Sequence, residues 1–126
     1  MDNEKLTVYR ERKDYINALR DELEQLRSLR SDIPLEGDLQ ELVVNICTLE
    51  EEIEYQLLEL ISIEGELRRN IEQLTNSTEQ SILIRRYVLC ERWKDICDEL
   101  HFSYQHIQRL HNNAVRHYYQ LFKDET

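Results

Sequence analysis

Apolar residues return along this chain at helical intervals almost from its start. Tyr9, Ile16 and Leu23 recur every seven residues, and Leu19, Leu26 and Ile33 lie three places after that frame. The positions between them are nearly all charged. A helix from about residue 6 to 33 is therefore predicted, with one apolar seam and one solvated face. Arg12 interrupts the second row, and its aliphatic stem can still cover the seam. Pro34 and Gly37 close the pattern, because proline biases Ile33 towards extended angles and glycine frees the backbone to reverse. Asp38 is the expected N-cap of the next helix.

That next helix carries the most regular pattern in the chain. Leu39, Ile46, Ile53, Leu60, Leu67 and Leu74 repeat every seven residues without a miss. Leu42, Leu49 and Ile63 fill the companion row, with Gln56 and Asn70 as its polar members. Val43, Leu57 and Ile71 widen the stripe on one side. A heptad sustained over this length specifies a coiled-coil helix, and the short connection makes the pair an antiparallel hairpin. Two helices hide only part of so wide a stripe. Two hairpins are therefore expected to associate, giving a homodimer or four-helix bundle, unless the stripe serves another protein.

Asn76, Ser77 and Thr78 end the coil with a turn and cap cluster, and Glu79 and Gln80 suit the first turn of a new helix. Ile82, Leu83, Tyr87 and Val88 form the apolar face of that helix, while Arg85 and Arg86 point elsewhere. After a short link, Trp93–Asn112 reads as two helices around a tight corner. Ile96, Leu100, Phe102, Ile107 and Leu110 supply the facing apolar contacts, Cys97 is the small residue at the crossing, and Ser103 caps the second helix through the amide of Gln105 or His106. Trp93 is read as an anchor between the leading helix and this pair. The last helix continues through Ala114, Val115, Tyr118 and Leu121 to Phe122. The chain thus divides into a coiled hairpin over residues 1–74 and a small helical module over residues 75–126.

Composition agrees with an all-α protein: Gly 2, Pro 1 and 33% charged residues leave little material for a sheet. No apolar run is long enough to cross a bilayer and no leader opens the chain, so a soluble cytoplasmic protein without membrane contact is expected. Cys47, Cys90 and Cys97 form an odd set without a CxxC pair, which fits a reducing compartment. The net charge of −10 is uneven. Residues 1–74 hold 9 Lys and Arg against 19 Asp and Glu, whereas residues 75–126 hold 7 of each. No carboxylate side chain lies between Glu99 and Asp124, an interval that contains Arg109, Arg116, Lys123 and all four histidines. This last third is locally cationic, as contact with a phosphate backbone requires, although the overall acidity predicts modest affinity.

The segment SILIRRYVLCERWKDICDELHFSYQHIQRLHNNAVRHYY resembles region four of bacterial sigma factors: a leading helix ending in RRY, a link, two helices around a corner, and a continuing helix. With the acidic hairpin before it, the chain resembles small phage and prophage transcriptional regulators of that type. His101 stands where the family has a corner glycine, and the usual leucine-proline before the leading helix is absent. The resemblance implies a helix-turn-helix that binds double-stranded DNA, with host RNA polymerase as a further partner. Promoter contacts fall on the positions of Tyr104, Gln105, Gln108 and Arg109. With Ile107 and Leu110 turned inward, spacing adds Asn112 to that outward set. Arg109 suits guanine O6 and N7, and Gln105 or Gln108 suits adenine. Arg92, Lys94, Ser103, Arg116 and His117 are the candidate phosphate contacts.

Other chemistry finds little support. Cys90, Cys97 and His101 lack the second ligand pair that a structural zinc site needs, so no metal or cofactor is expected. No phosphate loop, HExxH or serine elbow is present, and no enzyme activity is expected. The run Glu50, Glu51, Glu52 and Glu54 is read as a solvated coil surface, with mimicry of nucleic acid or a basic partner as its alternatives. Two other roles fit the same layout: an interaction protein that grips RNA polymerase or a sigma factor, and a DNA-packaging protein like a phage small terminase subunit.

Overall fold

The computed structural model describes residues 6–33 and 36–122, the side chains of Glu36 and Asp38 excepted. Most of these residues are helical, with no strand among them. Helix α1 spans Val8–Ser28 and tightens into a 3₁₀ turn at Leu29–Asp32. Ile33 then takes extended angles (φ −96°, ψ 114°), as a residue before proline should. Pro34 itself lies outside the described residues. Helix α2 runs over Glu36–Glu72. It begins earlier than expected, so Gly37 is helical and Asp38 stands in the first turn instead of capping it. Helices α3 (Ser77–Leu83), α4 (Trp93–Leu100) and α5 (Tyr104–Leu121) follow.

The chain forms two compact units. One is residues 11–62, which holds most of α1 and nearly the first three-quarters of α2. Leu19 and Leu23 from α1 pack with Ile53 of α2, flanked by Ile46, Leu49 and Leu57. The Arg12 guanidinium donates to Gln56 Oε1 at 3.0 Å, and Arg27 pairs with Glu50. As the α1 number rises the α2 number falls, so the two helices run antiparallel. Arg12 and Gln56 were the polar interruptions of their respective rows, and they satisfy one another across the seam. A buried donor or acceptor left alone would cost about 1–3 kcal/mol.

The other unit joins residues 63–122 to residues 6–10. Leu6, Leu67, Ile71, Leu74, Leu83, Tyr87, Ala114 and Tyr118 form its larger cluster, with Tyr9, Val88 and Phe122 against it. The core of this unit therefore starts well before Thr75 and includes residues from the beginning of the chain. Asn70, the second polar member of the heptad row, donates to the Tyr118 hydroxyl at 3.1 Å. Ile82, Ile96 and Ile107 form a second cluster with Trp93, Cys97, Leu100, Phe102 and Leu110. Neighbouring residues of α3 thus serve different clusters: Ile82 one, Leu83 the other.

Local chemistry sets the ends of these elements. Asn76 Oδ1 accepts from the Glu79 amide at 3.0 Å and caps α3. One turn on, the Gln80 amide reaches back to the carbonyls of Leu74 (2.8 Å) and Ile71 (3.2 Å), satisfying acceptors that the end of α2 leaves open. Helix α3 then widens into a π-helical turn, Ile84–Val88, closed by the Leu89 amide on Ile84 O at 2.9 Å. Cys90 takes a left-handed conformation (φ 60°). Arg86 holds the link by donating to Glu91 O at 2.8 Å, and Arg85 pairs with the Glu91 carboxylate at 3.1 Å.

Candidate nucleic-acid interface

The corner between α4 and α5 is built from three residues. His101 adopts φ 60° and ψ 40°, the left-handed geometry for which glycine is usual. A non-glycine residue there costs about 1–2 kcal/mol. The turn offsets this by closing α4: the amides of His101 and Phe102 both reach Cys97 O, the second at 3.1 Å. Phe102 tucks into the second cluster. Ser103 is extended, and its Oγ accepts from the His106 amide at 3.2 Å, the predicted N-cap.

Beyond the cap, Ile107, His111, Ala114 and Tyr118 turn inward. Tyr104, Gln105, Arg109 and Asn112 are exposed. Gln105, Arg109, Asn112 and Arg116 follow one another at intervals of three or four residues and share one face. Arg109 is not loose on that face. Its guanidinium donates to His106 Nδ1, and the His106 ring stands edge-on to Phe102 with centroids 4.7 Å apart.

Gln108 departs from the outward set. At about 100° per residue it falls between His111 and Asn112, on the flank of the helix. Both atoms of its amide are enclosed and without a hydrogen-bond partner. The phosphate candidates also differ among themselves. Arg92 and Lys94 are exposed at the start of α4. Arg92 bonds Asp95 at 3.1 Å, which raises its already high pKa through that hydrogen bond and the adjacent charge. The Ser103 hydroxyl accepts as a cap and keeps its proton to donate. Arg116 is exposed and donates to Asn113 Oδ1 at 2.6 Å. His117 instead contacts Glu79, its Nδ1 2.7 Å from Oε1. Glu79 is 4% exposed, so this α3 carboxylate is a buried partner of α5 as well as a first-turn charge.

Two histidines are thus withdrawn from the cationic surface that charge counting suggested. His117 is engaged by Glu79, and His111 is a core residue, 1% exposed. His111 Nε2 and the Tyr87 hydroxyl are hydrogen-bonded at 2.7 Å. The edge of Trp93 meets the same imidazole at 4.7 Å, and Arg86 lies 4.7 Å over the indole. Trp93 therefore links the leading helix to α5. The inward spacing of His111 from Ile107 and Ala114 was the available signal for its burial. Cys97 packs against the second cluster, where desolvation first, then Asp98, pushes its thiol pKa up.

Among the described residues, no three His, Cys, Asp or Glu side chains converge as a metal site. No described helix is long and apolar enough to cross a membrane. Comparison with curated proteins and with solved structures finds no match to this chain. Residues 37–119, which take in nearly all of α2 and the helices up to the end of the α5 inward face, match the model of a family described as a protein of unknown function, DUF1492. The chain belongs to that family.

Proposed function

We propose that this protein is a sequence-specific DNA-binding transcriptional regulator of phage or prophage type, which reads a promoter or operator with the first turns of α5. The observation that carries this reading is the face of Gln105, Arg109, Asn112 and Arg116. It is exposed beyond a capped corner, in a stretch free of carboxylate side chains. A helix presented in this way fits the major groove by its N-terminal residues. Arg109 takes guanine, with its fork steadied by His106, and Gln105 takes adenine. Ser103, Lys94, Arg92 and Arg116 bind phosphates and hold the register. Tyr104, 54% exposed, reaches a thymine methyl or a phosphate. Gln108 and His117 take part only after giving up their present surroundings.

The test is selection of binding sites from random DNA by the full chain, followed by Arg109→Ala. The expected loss is about 1–3 kcal/mol, confined to one base pair of the selected site. An equal loss on selected and random DNA removes Arg109 as a base reader. Failure of the full chain to enrich any sequence removes the function.

A further inference from the structure

We propose that the outward side of α2 between Val44 and Ile61 is a docking surface for a cationic amphipathic helix of another protein. This goes beyond the DNA-reading role and does not depend on it.

The seam of the hairpin unit takes Ile46, Leu49, Ile53 and Leu57 from one side of α2, the side on which Leu42 and Leu60 are also buried. At about 100° per residue, Val44, Cys47, Tyr55 and Leu58 stand on the opposite side, with Ile61 on the flank beside them. Val44 is 61% exposed, Tyr55 57%, Leu58 62% and Ile61 65%, and Cys47 is exposed too. Single exposed apolar residues are ordinary. Val44 with Cys47 at one end, and Tyr55, Leu58 and Ile61 at the other, form two apolar groups left open along one helix, with Glu51 and Glu54 between them, and together they make a face suited to binding. Its span of 18 residues, at about 1.5 Å each, is about 27 Å, which an α-helix of about 18 residues matches.

Charge decides what covers it. Between Leu39 and Ser62 the chain has six glutamates and no lysine or arginine. Glu51 and Glu54 sit in the middle of the apolar row, and both are exposed. A second copy is therefore a poor occupant. Paired antiparallel, Val44 would meet Ile61 and Cys47 would meet Leu58, but Glu51 would face Glu54 twice at the centre. Paired in parallel, each glutamate would face itself. Either register drives carboxylates together as water leaves, which disfavours the pairing. The α1 stretch of a second copy offers no matching stripe; its exposed large apolar residues within the same unit are Tyr15 and Leu29. A foreign helix with apolar residues at heptad spacing and lysine or arginine at its central positions avoids this repulsion. It forms charge-assisted hydrogen bonds to Glu51 and Glu54 while covering the apolar row.

The experiment uses the full chain and two synthetic helical peptides of about 18 residues. Both carry leucine at heptad spacing, one with lysines at the central positions and the other with glutamates in their place. Binding is read by fluorescence anisotropy at low and high salt, and self-association by sedimentation velocity. The lysine peptide is expected to bind, more weakly at high salt, and the glutamate peptide to bind at least about tenfold more weakly, a difference of about 1.4 kcal/mol. Leu58→Lys with Ile61→Lys abolishes binding, and Glu51→Lys with Glu54→Lys reverses the preference between the peptides. These positions are exposed, and unchanged circular dichroism verifies the fold of each variant. Equal binding of both peptides, binding of neither, or lysine-peptide binding untouched by the variants overturns the proposal. So does a dimer of the chain that Leu58→Lys dissociates, which would make a second copy the occupant.

Discussion

Replacing Leu6 with alanine should destabilise the unit that carries the candidate DNA-reading helix, although Leu6 is almost a hundred residues away from that helix in sequence. The side chain is 0% exposed and packs among Leu67, Ile71, Leu74, Leu83, Tyr87, Ala114 and Tyr118. Burying a leucine contributes about 1.5–3 kcal/mol, and the cavity left by truncation adds to that loss. Leucine-to-alanine changes in cores cost about 2–5 kcal/mol. Against a total stability of about 5–15 kcal/mol this is a large fraction. For a unit of this size each kcal/mol lowers Tm by about 4–8 °C, so a loss of about 3 kcal/mol is a fall of about 12–24 °C. Trp93 is the only tryptophan and belongs to this unit, so its fluorescence during urea unfolding reports the effect directly. Leu58→Ala, at a side chain 62% exposed, is the control and should shift stability by no more than about 0.5 kcal/mol. A Leu6→Ala midpoint within about 1 kcal/mol of the parent, with unchanged slope, would refute the reasoning. It would mean that the start of the chain is no part of that core.

Tyr87→Phe removes the hydroxyl bonded to His111 at 2.7 Å within the core and should cost about 1–3 kcal/mol in the same fluorescence melt. A neutral result would mean that the imidazole finds another partner without loss. Ser103→Ala deletes the cap on α5 and should cost about 0.5–2 kcal/mol, read as earlier unfolding by far-ultraviolet circular dichroism. Cys47 should alkylate readily at neutral pH while Cys97 resists, because its thiol is held above the usual range; mass spectrometry of a maleimide time course decides. The same shift fixes a sign. Folded Cys97 holds its proton more tightly than the unfolded thiol, so its contribution is complete below the unfolded pKa and is lost as pH rises through the folded one. Cys97→Ala should therefore flatten the alkaline decline in stability, and an unchanged slope would count against it.

Much of the fold was legible because it rests on interactions over one or two helical turns. The unbroken heptads of α2, the asparagine and serine caps at Asn76 and Ser103, and the apolar set at the corner each declare themselves within a few residues. Even the left-handed strain at His101 was readable from the absence of glycine. Of the outward set that spacing gave on α5, Tyr104, Gln105, Arg109 and Asn112 are exposed, whereas the amide of Gln108 is enclosed.

What escaped depends on partners brought from far along the chain. Periodicity assigns a residue to a face, but it cannot say what lies against that face. Glu79 reads locally as a first-turn charge, and only the approach of α5 makes it the partner of His117. His111 counts as a surface cation until Tyr87 and Trp93 arrive beside it. Arg12 and Gln56 look like separate flaws in two seams, and antiparallel packing turns them into a pair. Amino-acid order by itself determined the helices, their caps and their apolar stripes, because those are set by backbone geometry and neighbouring side chains. Tertiary structure alone decided which charges stay in water and that the core behind α5 reaches back to Leu6, because burial is a property of the whole packed unit.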